Sequence, residues 1–376
     1  MPKKIIFVCL KSKLYLSIHK TDIDFFLQQA AILPVLDVRS PGEYAQAHIP
    51  GAYSFPIFSD EERKVIGTAY KQQSRQKAIK YGLDFFGLKM RVLVEEAEKI
   101  VKQHQRKKDT KASEPEPPVI LVHCWRGGMR SEAVAWLLNL YGFEVYLLQG
   151  GYKAYRNFVL QQFEKEYSLK ILGGFTGSGK TAMLQHLQEA KQKVIDLEKL
   201  ANHKGSAFGG IGQPEQPRQE MFENLLANEL LQLCDSTGTA IWMEDESQRI
   251  GSMYIPHSLW AGIRKSPLYF IDIPFTERLK YIIREYSSLN KEKLQEALER
   301  IQKRLGPMET KQAIAFLLHD DFENCFEILL KYYDKTYLKS LHNRENIESI
   351  LNKIPCSAVD SVSNTEKLLS CLIQKK

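Results

Sequence analysis

A chain of 376 residues with 44% hydrophobic content is long enough for two domains with packed cores, which excludes a disordered or fibrous chain. Its formal net charge of +7 suits a nucleic-acid partner without requiring one. No run approaches the ~20 apolar residues of a membrane helix, so no membrane association is expected. The six cysteines, Cys9, Cys124, Cys234, Cys325, Cys356 and Cys371, are scattered, with no C-x-x-C and no metal-like spacing. This suggests reduced thiols in a cytoplasmic protein, and five of the six read as small buried hydrophobes.

The opening Met1–Leu10 imitates a signal peptide, but Lys11 and Lys13 interrupt it and no small-residue cleavage site follows. The predicted strands in the first third are Ile32–Val38, Val119–Cys124 and Glu144–Leu148. Leu169–Gly173, Lys193–Leu197, Ala240–Glu244 and Leu268–Ile273 follow. Several end in Asp, Cys or Gly, as strands do where sites form at the carboxyl edge of a parallel sheet. The rhythm predicts an α/β fold for both halves. Residues 103–118, charged and then proline-rich, read as an exposed loop inside the first domain. The predicted domains are 1–160, then 161–275 around a phosphate-binding loop, then a helical extension 276–376 whose tail after about 345 is unassigned. Helices are expected over Thr276–Tyr286, Lys291–Leu305 and Lys311–Lys339. Arg278, Lys280, Arg284, Arg300, Lys303 and Arg304 stud this extension and read as solvated helix faces.

Two motifs carry chemistry. The first, His123-Cys-Trp-Arg-Gly-Gly-Met-Arg-Ser131, sets Cys124 between a strand and a helix predicted over Ser131–Leu140. A thiol with an ordinary pKa of about 8.5 needs positive surroundings to react as a thiolate. Loop amides, the helix N-terminus and Arg130 supply them, Gly127 and Gly128 allow the tight turn, and Arg126 with Arg130 can take an anionic substrate. The pattern H-C-x5-R-S also fits cysteine-dependent phosphatases, so the loop alone does not decide. The second motif, Gly174-Phe-Thr-Gly-Ser-Gly-Lys-Thr181, follows an apolar strand and precedes a helix, the context a P-loop requires. Gly174, Gly177 and Gly179 let backbone amides face a phosphate chain, Lys180 pairs with its terminal phosphates, and Thr181 would hold Mg2+ if one is bound.

The strand that should end in a single acid ends in Glu244, Asp245 and Glu246, so the loop can be expected to grip a diphosphate without hydrolysing a nucleotide. Glu244, Asp245, Arg249 and His203 are expected to support the phosphate site from behind. The glycine-rich stretch Ala201–Gly212 with Gln213–Gln219 is expected at the same sheet edge, in contact with substrate.

Upstream, Asp37-Val-Arg-Ser-Pro-Gly-Glu-Tyr44 and His48-Ile-Pro-Gly-Ala52 resemble the signatures of the rhodanese family. That resemblance implies chalcogen transfer through Cys124, with Asp37, Arg39, His48 and His123 structural. A rhodanese-like domain joined to a P-loop domain is similar to one family, the tRNA 2-selenouridine synthases, over roughly residues 22–345. Ser59–Arg63, Gly67–Lys71, Gln149–Tyr155, the Asn202–Gly212 loop and Glu244–Gly251 add to the likeness.

The resemblance implies replacement of sulfur by selenium at the wobble 2-thiouridine of tRNAs for Lys, Glu and Gln. Selenophosphate would donate the selenium, and an S-geranylated intermediate would be made from geranyl diphosphate. A selenophosphate synthetase is then an expected partner, and no bound cofactor is required. The rivals are a rhodanese-type sulfurtransferase, or a Cys-x5-Arg phosphatase, fused to an ATP-dependent P-loop module.

Overall fold

The alternation of apolar runs and helical stretches folds into two α/β units, Met1–Phe158 and Val159–Lys376. The computed structural model describes residues 18–107, 117–234 and 238–373. The Met1–Leu10 segment, Cys9 and residues 108–116 of the charged loop lie outside the described residues.

In the first unit β1 (Ile18–Thr21), β2 (Val35–Asp37), β3 (Tyr53–Ser54), β4 (Val119–His123) and β5 (Glu144–Leu148) form one sheet in the order β1-β5-β4-β2-β3. Every pairing is parallel, so both faces demand apolar cover. Central β4 is accordingly almost all apolar, and Ile120, Leu121 and Val122 are fully buried. Helix Met129–Tyr141 contributes Val134, Ala135 and Leu138 to this core, and helix Arg75–Lys107 contributes Phe86, Leu93, Ala97 and Ile100.

Two expectations change here. The run Ile32–Val38 is strand only over Val35–Asp37. The Ile32 and Leu33 amides bond back to the Gln29 carbonyl and finish helix Ile23–Ala30, and Pro34 has no amide for a ladder. Residues 103–107, read as loop, are the last turn of helix Arg75–Lys107. His104 docks that turn, with Nε2 3.1 Å from the Ile32 carbonyl and Nδ1 3.3 Å from the Tyr53 hydroxyl.

In the second unit β6 (Leu169–Gly174), β7 (Lys193–Ile195) and β8 (Ile241–Glu244) precede a short hairpin of β9 (Arg249–Ile250) and β10 (Met253–Tyr254). With β11 (Leu268–Asp272) and β12 (Leu351–Pro355) the main strands form a parallel sheet in the order β12-β11-β6-β8-β7. β6 is central, so the loop leaving its carboxyl end emerges at the crevice where connections diverge to either side.

The tail after 345 is part of this unit. β12 extends the sheet beyond β11, and helix Ser361–Ile373 shares a core with the P-loop helix Lys180–Glu189 through Leu368, Leu184 and Leu187. The predicted helices 291–305 and 311–339 are each broken. Lys291–Arg300 and Gln302–Leu305 are separate, and Pro307–Leu318 begins at Gly306-Pro307, where Gly306 has φ +113°. Asp320 at φ +62° ends that helix, and the Asp321 side chain caps the next, Phe322–His342. Leu294, Leu298, Leu317, Phe326 and Leu330 close the helical core.

The described cysteines are all free. Cys325 and Cys356 are buried as expected, whereas Cys234, at the open end of helix Gln219–Leu233, is exposed and Cys371 is half-buried.

Candidate functional site

The cysteine loop is built by glycines meeting backbone. Cys124 follows β4 directly, and Gly127 (φ +64°) turns the chain into helix Met129–Tyr141. A Cβ on Gly127 would stand 2.6 Å from the Leu148 carbonyl oxygen, and one on Gly151 2.4 Å from the Cys124 carbonyl oxygen. Only glycine permits that approach. It lets the Tyr152 and Lys153 amides donate to the Cys124 and Trp125 carbonyls at 2.8 and 3.0 Å. The Gln149–Tyr155 stretch thus clamps the loop.

Cys124 is 3% exposed. The Ser131 hydroxyl lies 3.2 Å from its sulfur and 3.0 Å from the Gly128 carbonyl. Burial alone would raise the thiol pKa. The Ser131 hydroxyl, the Arg126 and Ser131 amides and the Arg130 guanidinium outweigh burial and hold the thiol below its ordinary range. Arg126 is exposed. Arg130, expected to face an anion, is held by Glu43, with Nη1–Oε2 2.7 Å and Nη2–Oε1 3.4 Å.

Below the loop, Asp37 and Arg39 are buried and form a bidentate pair, Arg39 Nε donating to Oδ1 and Nη2 to Oδ2, and Arg39 also donates to the Ala47 carbonyl at 2.7 Å. The Arg39 guanidinium stacks 3.8 Å from the Tyr152 ring centre, and Tyr152 in turn meets Trp125. Burial works against the Asp37 carboxylate, but His123 and Arg39 bring it below the usual range, while burial pushes His123 down. His48 stacks on Tyr44 at 3.9 Å and bonds the Tyr44 carbonyl through Nδ1. These contacts hold backbone and rings in place, and none of them reaches the Cys124 sulfur.

In the second unit, Gly174, Gly177 and Gly179 have φ of +157°, +82° and +75°, so the P-loop is closed by left-handed and extended glycines ahead of helix Lys180–Glu189. Lys180 Nζ donates to the Gly174 carbonyl at 3.1 Å, and the Thr181 hydroxyl to Glu198 Oε2 at 3.0 Å. The loop lines a cleft of about 480 Å3 together with Glu198, Lys204–Ser206, Glu244–Ser247 and the helical residues Tyr281, Ile282, Tyr286, Tyr333 and Tyr337.

The three acids have separate duties. Glu244 is buried, accepts from the Glu198 amide at 2.8 Å, and has an Oε2 with no partner among the described residues. Burial and then Asp196, Glu198 and Glu246 push its carboxyl well up. Asp245 accepts from the Tyr337 hydroxyl at 2.6 Å and pairs with Arg344. Glu246 is half-buried, and burial with Glu198 pushes it up to about 8 against the opposing pull of Lys180.

Of the residues expected at this site, Gly174, Gly177, Gly179, Lys180, Thr181, Glu244 and Asp245 come together in the cleft, along with Lys204–Ser206 of the glycine-rich stretch. His203 instead packs against Gly209 and Gly210. Arg249 donates to the Gly251 carbonyl at 2.7 Å on the β9–β10 hairpin, away from the cleft lining. Arg278, read as solvated, is 2% exposed. It bonds the Thr176 and Ile273 carbonyls and both Asp334 oxygens, tying the P-loop to helix Phe322–His342.

Sequence reasoning missed Ser131, Glu43, Glu198 and the tyrosine wall. The signals were present: a serine directly after Arg130, a Glu two residues past the Asp196 strand end, and Tyr333 and Tyr337 four apart on one helix.

Fold and site define a class: a thiol group-transfer unit of rhodanese type followed by a P-loop unit. Comparison with known proteins agrees. The rhodanese-like domain family model matches residues 22–158, and that of the tRNA 2-selenouridine synthase AAA domain matches residues 167–364. A tRNA 2-selenouridine synthase of Sulfurovum sp. is 37% identical over 292 residues, covering 73% of this chain and 76% of that protein. One of Bdellovibrio bacteriovorus is 34% identical over 358 residues, 83% of this chain and 90% of that protein. One of Cupriavidus pinatubonensis is 36% identical over 293 residues, 76% of this chain and 73% of that protein. The chain belongs to the tRNA 2-selenouridine synthase family and is an enzyme of the transferase class.

Proposed function

We propose that the chain replaces sulfur by selenium in the wobble 2-thiouridine of tRNA, of the Lys, Glu and Gln types, in the cytoplasm. The selenium comes from selenophosphate, delivered by a synthetase partner, and the sulfur is first S-geranylated with geranyl diphosphate. In that first step the thiouridine sulfur forms a C–S bond to the allylic carbon as its C–O bond breaks, and the negative charge collects on the departing diphosphate. Lys180 and the amides of residues 174–181 are placed to meet that charge. In the second step a C–Se bond forms at C2 and geranylthiol leaves. The selenium enters at the selenide level it already has in selenophosphate. The Cys124 thiolate takes the phosphoryl group as the P–Se bond breaks, and water then hydrolyses the S–P bond to release inorganic phosphate. Arg126 and Arg130 meet that phosphate, Arg130 after exchanging Glu43 for it.

The observation that carries this reading is the character of the cleft. Beyond the phosphate-facing loop its wall combines Ile282, Tyr286 and Tyr333 with the polar Glu285, Arg304 and Thr336, and the first three also border a small, mainly apolar pit lined with Phe208, Phe326, Leu329 and Leu330. That apolar stretch beside a phosphate-facing loop suits the hydrocarbon tail of a diphosphate co-substrate. Among the described residues no group of three or more His, Cys, Asp or Glu side chains is arranged to hold one. Thr181 and Glu198 would hold Mg2+ only together with substrate phosphate oxygens. Also among the described residues, no helix is long and apolar enough to cross a membrane.

The test incubates the purified protein with thiolated tRNA, geranyl diphosphate and selenophosphate, digests the RNA and identifies its nucleosides by mass. Geranyl-thiouridine and then selenouridine are expected. Their absence, or selenouridine formed with ATP in place of geranyl diphosphate, refutes the reading.

A further inference from the structure

We propose that a second cavity in the P-loop unit, basic and adjoining the P-loop cleft, binds backbone phosphates of the RNA substrate. The proposal rests on the reading of tRNA as that substrate. The cavity measures about 480 Å3 and is walled by Trp260, Arg264 and Lys265 from one helix and Lys339, Ser340 and Arg344 from another segment. It shares Thr336 and Ser340 with the P-loop cleft, so a strand lying in it runs beside the phosphate-binding loop. Arg264, Lys265, Lys339 and Arg344 face a single carboxylate, Glu345, in its lining.

Arg344 is the strongest observation. It is 5% exposed, and Asp245 takes its Nη2. Its Nε and Nη1 are shielded and have no hydrogen-bond partner among the described residues. Buried donors on a charged group are costly to leave unmade, so the site favours a ligand that brings acceptor oxygens. The Trp260 indole N–H is in the same condition.

Arg264 is fixed at the seam, with its guanidinium 5.5 Å from the Trp260 ring centre and Nη2 donating to the Ser340 carbonyl at 2.7 Å. Guanidinium, ammonium and indole groups only donate, and a phosphodiester's free oxygens only accept. Lys265 and Lys339 are exposed and extend the positive surface beyond what one small anion occupies. That extension favours a polyanionic strand over a free phosphate. None of these residues belongs to the basic set that the sequence pattern singles out.

The test uses the full chain and the double variant Lys265→Ala/Lys339→Ala, with Lys280→Ala/Lys303→Ala as control. Affinity for thiolated tRNA is measured across a salt series by filter binding, and inorganic phosphate binding by calorimetry. Losing two phosphate contacts lowers the slope of log affinity against log salt by roughly 1.4 to 1.8 and weakens binding about tenfold or more at 0.1 M salt. The control should keep both, and binding of geranyl diphosphate should be unchanged in the Lys265/Lys339 variant. If that variant retains the wild-type affinity and slope, the proposal is overturned, whether or not the cavity takes inorganic phosphate. In that case wild-type product formation shows that the substrate reading survives. A wild type that binds no tRNA overturns both.

Discussion

Arg278→Ala should destabilise the second unit more than any substitution of an exposed cation on the same helices. Arg278 is 3% exposed in its side chain and Asp334 18%, and their bonds are 3.0 and 2.7 Å long. Removing one member of a buried, hydrogen-bonded pair costs about 3–5 kcal/mol, because the partner is left charged and unpaired. Water reaches part of Asp334, which places the loss near the lower end, about 3 kcal/mol. For a unit of this size that lowers the melting temperature by roughly 6–12 °C.

Replacing both partners with apolar residues of similar size, Arg278→Met with Asp334→Leu, should recover at least half of the loss. Because Arg278 also holds the Thr176 carbonyl at 3.0 Å, amide exchange over residues 174–181 should quicken in the single variant. Calorimetry of the full chain, with hydrogen exchange assigning the transition to the second unit, makes the measurement. A loss under about 1 kcal/mol, or a double variant less stable than Arg278→Ala, would refute the reasoning.

Two other outcomes follow from the sites. Ser131→Ala removes the hydroxyl 3.2 Å from the Cys124 sulfur. Alkylation of Cys124 at pH 7 should slow about fivefold to tenfold, as expected for losing a hydrogen bond worth about 1–1.4 kcal/mol to the thiolate, and an unchanged rate-against-pH profile would count against it. Glu246 is raised from 4.5 to about 8 in the folded protein. Between those values the folded state holds a proton that the unfolded state has lost, so its contribution is fully present below the unfolded pKa and fades as pH rises toward 8. The ligand-free protein should therefore be more stable at pH 6 than at pH 8 in urea titrations. Glu246→Gln should flatten that difference, and an equally steep slope in the variant would contradict the assignment.

What could be read in the sequence depended on how local each signal was. The P-loop was legible because strand, glycines, lysine and helix are contiguous. The Cys124 loop was legible for the same reason, and its clamp at Gly150–Gly151 was visible as a motif before its contact was known. β1, β3 and β12 were not legible. They are short or polar strands whose pairing is decided by neighbours far along the chain, as Leu351–Pro355 against Leu268–Asp272 illustrates. Charge was misleading for the same reason. Nothing local distinguishes Arg278, locked to Asp334, from Lys280, which is exposed and bonds Glu277. Nor does the run Glu244–Glu246 announce that one acid is buried, one is paired to Arg344 and Tyr337, and one borders the cleft, since those partners lie 46 to 99 residues away.

The central claim is a division of labour: the P-loop serves the geranyl step and Cys124 the selenium step. Lys180→Ala and Cys124→Ser should each be incubated with thiolated tRNA, geranyl diphosphate and selenophosphate, and the nucleosides of each digest weighed. Lys180→Ala should leave 2-thiouridine unchanged, whereas Cys124→Ser should accumulate S-geranyl-2-thiouridine without selenouridine. Loss of the same step in both variants would contradict the account.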